Sequence, residues 1–154
     1  MLDSGTDWNN DIDQYRETQL LWLAEELAND NSENKAIITH IYFNEGAEHT
    51  FGLEIKKIVA AFNIRGTYSI GSSSEVSFAS ATGKIKFVLC GHTHVDMNDV
   101  IGGTTPVICI KKALSSNNYA FDAILVDYDA NVINCVRFGD GDSRKFSLTT
   151  GELQ

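Results

Sequence analysis

Gly91-His92-Thr93-His94 is the segment whose residue types and spacing speak most directly of chemistry. It follows the apolar run Ile85-Lys86-Phe87-Val88-Leu89-Cys90, so both imidazoles are expected at the carboxyl end of a buried strand. Open α/β sheets place their ligands at that edge. A glycine there permits a tight turn and a close approach of backbone to a ligand. Two histidines one residue apart can splay from such a turn toward two neighbouring positions, and neutral imidazole is a ligand for Zn, Mn and Fe. His40 closes a second apolar run, Lys35-Ala36-Ile37-Ile38-Thr39, in the same way. If the two strands are neighbours in a parallel sheet, the three histidines meet at one edge. Spacing alone leaves a plainer reading open, because a His-x-His pair on a loop is often only solvated and a strand-end histidine often only hydrogen-bonded.

The elements that must position these residues follow from periodicity. Leu20, Leu23, Ala24, Leu27 and Ala28 recur at helical spacing and predict an amphipathic helix over roughly residues 14–28. Asp13 is its expected N-cap, and Glu17 suits the positive end of the helix dipole. Trp22 lies off the apolar stripe, which makes it a candidate interface residue. Phe51, Ile55, Ile58, Val59 and Phe62 predict a second helix, with Thr50 before them as cap. Strands are expected over residues 35–39, 64–69, 75–79, 85–90, 106–110, 121–128 and 132–138, the last two joined as a hairpin by Asp129-Ala130-Asn131. Two early helices with strands between them, then an antiparallel tail, predict an α/β chain: a mixed β-sheet flanked by helices, one domain over residues 1–154.

Composition limits the function classes. At 154 residues with 43% hydrophobic content, the chain can bury a core. Twelve Lys and Arg stand against 21 Asp and Glu, a net charge of −9. With no basic stripe, direct nucleic-acid binding is disfavoured. A phosphate substrate is compatible, because a bound metal supplies positive charge locally. No apolar run is long enough to span a bilayer, and Met1-Leu2-Asp3-Ser4-Gly5 has no signal-peptide pattern. Cys90, Cys109 and Cys135 sit in apolar strand-like runs at irregular spacing, which reads as reduced, buried thiols in a cytoplasmic protein. Asp96 and Asp99 follow the histidine motif and are candidates for orienting an imidazole from behind. Gly139-Asp140-Gly141-Asp142 reads as a surface turn, as does Gly102-Gly103.

Gly91-His92-Thr93-His94 after an apolar strand resembles the last signature of the calcineurin-like metallophosphoesterases. His40 after residues 35–39 is similar to that family's preceding histidine motif, and Leu2-Asp3-Ser4 with Gln19-Leu20-Leu21-Trp22-Leu23 looks like the segment before it. Arg137-Phe138-Gly139, with Asp142 and Arg144, resembles a closing stretch of some bacterial members. The resemblance implies the C-terminal half of a four-layer αββα sandwich. It also implies a centre of two divalent ions (Mn, Zn or Fe) bridged by an aspartate and a hydroxide, which hydrolyses phosphomonoesters or phosphodiesters. By the same resemblance His40 and His92 would bind one ion and His94 the other.

The departures carry as much information. The family begins with Asp-x-His, then Gly-Asp-x-x-Asp, then Gly-Asn-His, and none of these precedes His40 here. Three histidines without a bridging carboxylate are expected to hold at most one ion weakly, so the isolated chain is not expected to turn over substrate. Its expected partner is the missing N-terminal half, or a second chain that supplies it. An apolar sheet face or edge should then be exposed, with self-association into a homo-oligomer as one outcome. The alternative is a non-catalytic, degenerate module kept for assembly or partner binding. A mononuclear zinc hydrolase of the amidohydrolase type, which also opens with His-x-His, would need a (β/α)8 barrel of about 250 residues.

Overall fold

A computed structural model describes residues 12–41, 50–70, 74–91, 95–110 and 119–154. The elements are α1 (Ile12–Asn29), β1 (Asn34–Ile41), α2 (Thr50–Asn63), β2 (Thr67–Ile70), β3 (Ser74–Ser77), β4 (Lys84–Gly91), β5 (Met97–Ile101), β6 (Thr105–Cys109), β7 (Ala120–Asp127), β8 (Val132–Gly139) and β9 (Arg144–Ser147). The chain divides into two compact units, Met1–Lys35 with Phe43–Ile85 and Ala36–Tyr42 with Lys86–Gln154.

In the first unit, both helices bury the stripes that their sequences define. Leu20, Leu23, Ala24 and Leu27 of α1 are buried, as are Ile55, Ile58, Val59 and Phe62 of α2. Trp22 is 47% exposed, as its position off the stripe predicts. Asp13 lies one residue inside α1 instead of capping it, and Thr50 opens α2; the side chains of both lie outside the described residues. Phe62 meets Phe78 edge-on at 5.4 Å between ring centroids, and the Arg65 guanidinium lies 4.6 Å from the Phe62 centroid. The strand predicted from residue 64 starts only at Thr67, because α2 ends in a left-handed turn at Arg65 (φ 57°) that leaves Ile64 81% exposed. The Gly66 N–H then closes on the Ala61 carbonyl at 2.8 Å, satisfying a carbonyl at the helix end. β2 and β3 pair as an antiparallel hairpin.

The second unit is built on a four-stranded sheet of order β1-β4-β6-β5. At the start of β1 and β4 the Lys84 N–H donates to the Glu33 carbonyl at 2.9 Å. At their ends, a Cβ on Gly91 would stand 3.7 Å from the His40 carbonyl oxygen. The two strands therefore run in the same direction and finish side by side. β6 is parallel to β4, with Val88 opposite Val107 and Cys90 opposite Cys109. β5 is antiparallel to β6. The sheet is mixed, and the α/β expectation holds at that level. All five residues of β6 are buried, as an interior strand covered on both faces requires.

A second, antiparallel sheet of order β7-β8-β9 lies against the first. Phe87, Leu89 and Ile108 from one face of the mixed sheet pack with Ile124, Val126, Ile133, Cys135, Phe146 and Leu148. Side chains alternate along each strand, so the same register turns Phe121 and Leu125 outward, at 57% and 54% exposure. Phe121 stacks on Phe138 across the hairpin, with centroids 4.9 Å apart. Phe121, Leu125 and Phe138 thus put apolar surface on this sheet's outer face.

Candidate metal edge and the ionic cluster beside it

β1 and β4 bring His40 and Gly91 to one edge of the mixed sheet. His40 is exposed at the end of β1, and Gly91, the last residue of β4, lies against its backbone. His92 and His94 lie outside the described residues. What fixes the edge is apolar strand content. Ile37, Val88, Cys90, Val107, Ile108 and Cys109 are all buried, which holds β1, β4 and β6 in one plane up to the point where the histidine motif begins.

The two thiols at that end face one another. The Cys109 Sγ–H donates to the Gly91 carbonyl at 3.2 Å, and the Cys90 Sγ–H points to the Ile108 carbonyl at 3.6 Å. The hydrogen bond with Cys109, and then burial, push the Cys90 thiol far above its ordinary range. Burial pushes the Cys135 thiol up to about 11. All three cysteines are free and buried, in the neutral form expected of structural thiols.

Asp96, two residues after His94, meets two guanidinium groups. Arg137 grips it with both forks, Nη2 donating to Oδ1 at 2.6 Å and Nη1 to Oδ2 at 2.8 Å. Arg144 Nη2 stands 3.1 Å from Asp96 Oδ1. Behind them Asp122, whose side chain is 0% exposed, accepts from Arg137 Nε and from Arg144 Nη2, the latter at 3.1 Å. Arg144 Nη1 also donates to the Cys109 carbonyl at 3.1 Å. Two acids and two arginines thus form a neutral, largely buried square. The hydrogen bonds that Arg137 donates to Asp96 and Asp122 hold its guanidinium firmly protonated. Asp99 lies in β5 opposite Val107, and its Oδ1 accepts from the Val100 N–H at 2.8 Å.

No family model, curated protein or solved structure matches the chain.

Donor chemistry decides what the edge could hold. Three imidazoles suit one ion of Zn, Mn or Fe. A pair of ions in addition needs an acid between them. Among the described residues no cluster of three or more His, Cys, Asp or Glu stands close enough to hold a metal. His40 is the one imidazole of the three among those residues.

Asp122 is the residue that sequence reasoning missed, because a turn of Asp129-Ala130-Asn131 alone would set Tyr128 opposite Val132 and Asp122 opposite Phe138. In the structure the turn is one residue longer, Asp127 stands opposite Val132, and Asp122 comes opposite Arg137. Opposite charges on facing positions of an otherwise apolar hairpin point to a deliberate pair.

Proposed function

We propose that this chain is the C-terminal portion of a calcineurin-like metallophosphoesterase, with an αββα sandwich as the complete fold. In this reading His40, His92 and His94 are its contribution to a divalent-metal centre. The observation that carries the reading is the side-by-side ending of β1 and β4, which sets His40 beside the residue that leads into His92-Thr93-His94. A bound divalent ion would polarise a phosphoryl oxygen and lower the pKa of an attacking water. The chain's own part is to fix imidazole donors at a sheet edge whose strands are buried. The bridging carboxylate and the group that protonates the leaving oxygen belong to the Asp-x-His, Gly-Asp-x-x-Asp and Gly-Asn-His motifs, which this sequence does not hold.

Turnover tests this reading. With Mn or Zn added, the chain alone should hydrolyse neither p-nitrophenyl phosphate nor bis-p-nitrophenyl phosphate. Co-expression with an N-terminal half bearing the three motifs should produce hydrolysis that His92→Ala or His94→Ala abolishes. Hydrolysis by the unaided chain would mean that other residues complete the site. A reconstituted pair that stays inactive, or whose activity survives both substitutions, would favour the non-catalytic module.

A further inference from the structure

The outer face of the β7-β8-β9 sheet is apolar over most of its length. Phe121, Ala123 and Leu125 on β7 stand opposite Phe138, Val136 and Asn134 on β8. The positions between them turn toward the core, so these six share the outer side. Tyr119 continues the row beyond Phe121 and is 64% exposed, while Phe121, Leu125 and Phe138 are each about half exposed. Within the three strands, charge reaches this face at two borders. Asp127 closes β7 beside Val132, and Lys145 stands on β9 opposite Asn134. We propose that this face is an interface between two copies of the chain. The proposal rests on the sheet alone and is independent of the metal reading.

Area is the first argument. The exposed parts of Tyr119, Phe121, Leu125 and Phe138, with the partly exposed Ala123, Val132 and Val136, amount to roughly 600 Å² per copy. That is the upper end of what a monomer leaves in water. Two such faces together remove about 1,200 Å², the lower end of specific interfaces, which suits a weak and reversible dimer. Charge is the second argument. A net charge of −9 makes copies of the chain repel, and this face is where the acidic groups are sparse. A two-fold axis along the strands lays the Phe121–Phe138 end of one copy on the same end of the other. The same axis turns the β7 border of each copy toward the β9 border of the other, bringing Asp127 toward Lys145 twice. An axis across the strands would instead set the stacked rings on Asp127 and desolvate a carboxylate. Sheets that pack face to face keep their strands nearly aligned, as the first axis requires.

Sedimentation velocity of the full chain, from micromolar to submillimolar concentration, tests the proposal. The expected result is a reversible dimer. Phe121→Lys and Leu125→Lys should each weaken it about tenfold or more, because a two-fold interface carries every substitution twice and buries the new ammonium. Both side chains are exposed, so circular dichroism should show the fold retained; should Phe121→Lys fail to fold, Leu125→Lys decides by itself. Lys145→Ala and Asp127→Asn should each weaken the dimer about threefold, and the two together no more than either alone. Asparagine at 127 keeps the oxygen that accepts from the Ala130 N–H at 2.8 Å, so the hairpin turn is preserved. Trp22→Lys, on the exposed side of α1, should leave the dimer unchanged. A chain that stays monomeric throughout overturns the inference, as does a dimer that survives Leu125→Lys or is lost in Trp22→Lys. Additive losses from Lys145→Ala and Asp127→Asn overturn the two-fold arrangement. A monomer whose Leu125 face is protected from labelling only by a co-expressed N-terminal half assigns the face to that partner, and the inference fails.

Discussion

Asp122→Ala should destabilise the fold by about 3–5 kcal/mol, the cost of breaking a buried ion pair from one side. Its carboxylate is 0% exposed and touches both Arg137, at 1%, and Arg144, at 10%. Deleting it leaves two guanidinium groups, out of water, sharing the single charge of Asp96. The penalty is chiefly that of the stranded arginines, because desolvated charge without a partner is what proteins tolerate least. Asp122→Asn keeps the shape and one acceptor, so it should fall between wild type and Asp122→Ala. Added salt should change the difference little, since the pair is shielded from bulk ions. Urea unfolding of the three proteins at low and moderate salt measures this. A loss under about 1 kcal/mol for Asp122→Ala would mean that the square behaves as an exposed surface pair.

Phe62→Ala should cost a similar amount, about 3–5 kcal/mol, for a different reason. The Phe62 ring is 0% exposed at the centre of the first unit and meets Phe78 edge-on. Arg65 lies over it, and the Lys35 ammonium stands 5.9 Å from its centroid while its charge is satisfied by the Ser32 carbonyl and Asp30. Truncation removes the apolar transfer energy and leaves a cavity beneath two cations that have lost an aromatic face. Phe62→Leu keeps most of the volume and should cost under about 1.5 kcal/mol. Amide exchange in α1 and α2 locates the effect. A Phe62→Ala protein as stable as Phe62→Leu would show that the neighbouring helices collapse into the space.

Periodicity made most of this architecture legible. Both helices and the strands around His40 and Gly91 lie within a few residues of where their apolar spacing puts them. The hairpin of β7 and β8 turns where Asp129-Ala130-Asn131 predicts, with Asn131 in the left-handed region at φ 54°. Two strands escaped. β5, Met97-Asn98-Asp99-Val100-Ile101, is an edge strand with half its face in solvent, so its first residues look like a polar loop. β9, Arg144-Lys145-Phe146-Ser147, has one apolar marker, Phe146, and its arginine points inward because Asp122 and Asp96 neutralise it. Burial of charge defeats a pattern that counts charge as surface. The ionic square was invisible for the same reason, since it joins residues as far apart in sequence as Asp96 and Arg144 that only strand register brings together. The edge shared by His40 and Gly91, by contrast, follows from two apolar runs that each end in a glycine or a histidine.

The most direct test of the central claim is zinc titration of the isolated chain, followed by calorimetry, for wild type and for His40→Ala, His92→Ala and His94→Ala. The account predicts one weakly held ion, with each substitution lowering the affinity at least tenfold and the stability of the fold unchanged. Two tightly bound ions in the wild-type chain, or binding indifferent to all three substitutions, would contradict it.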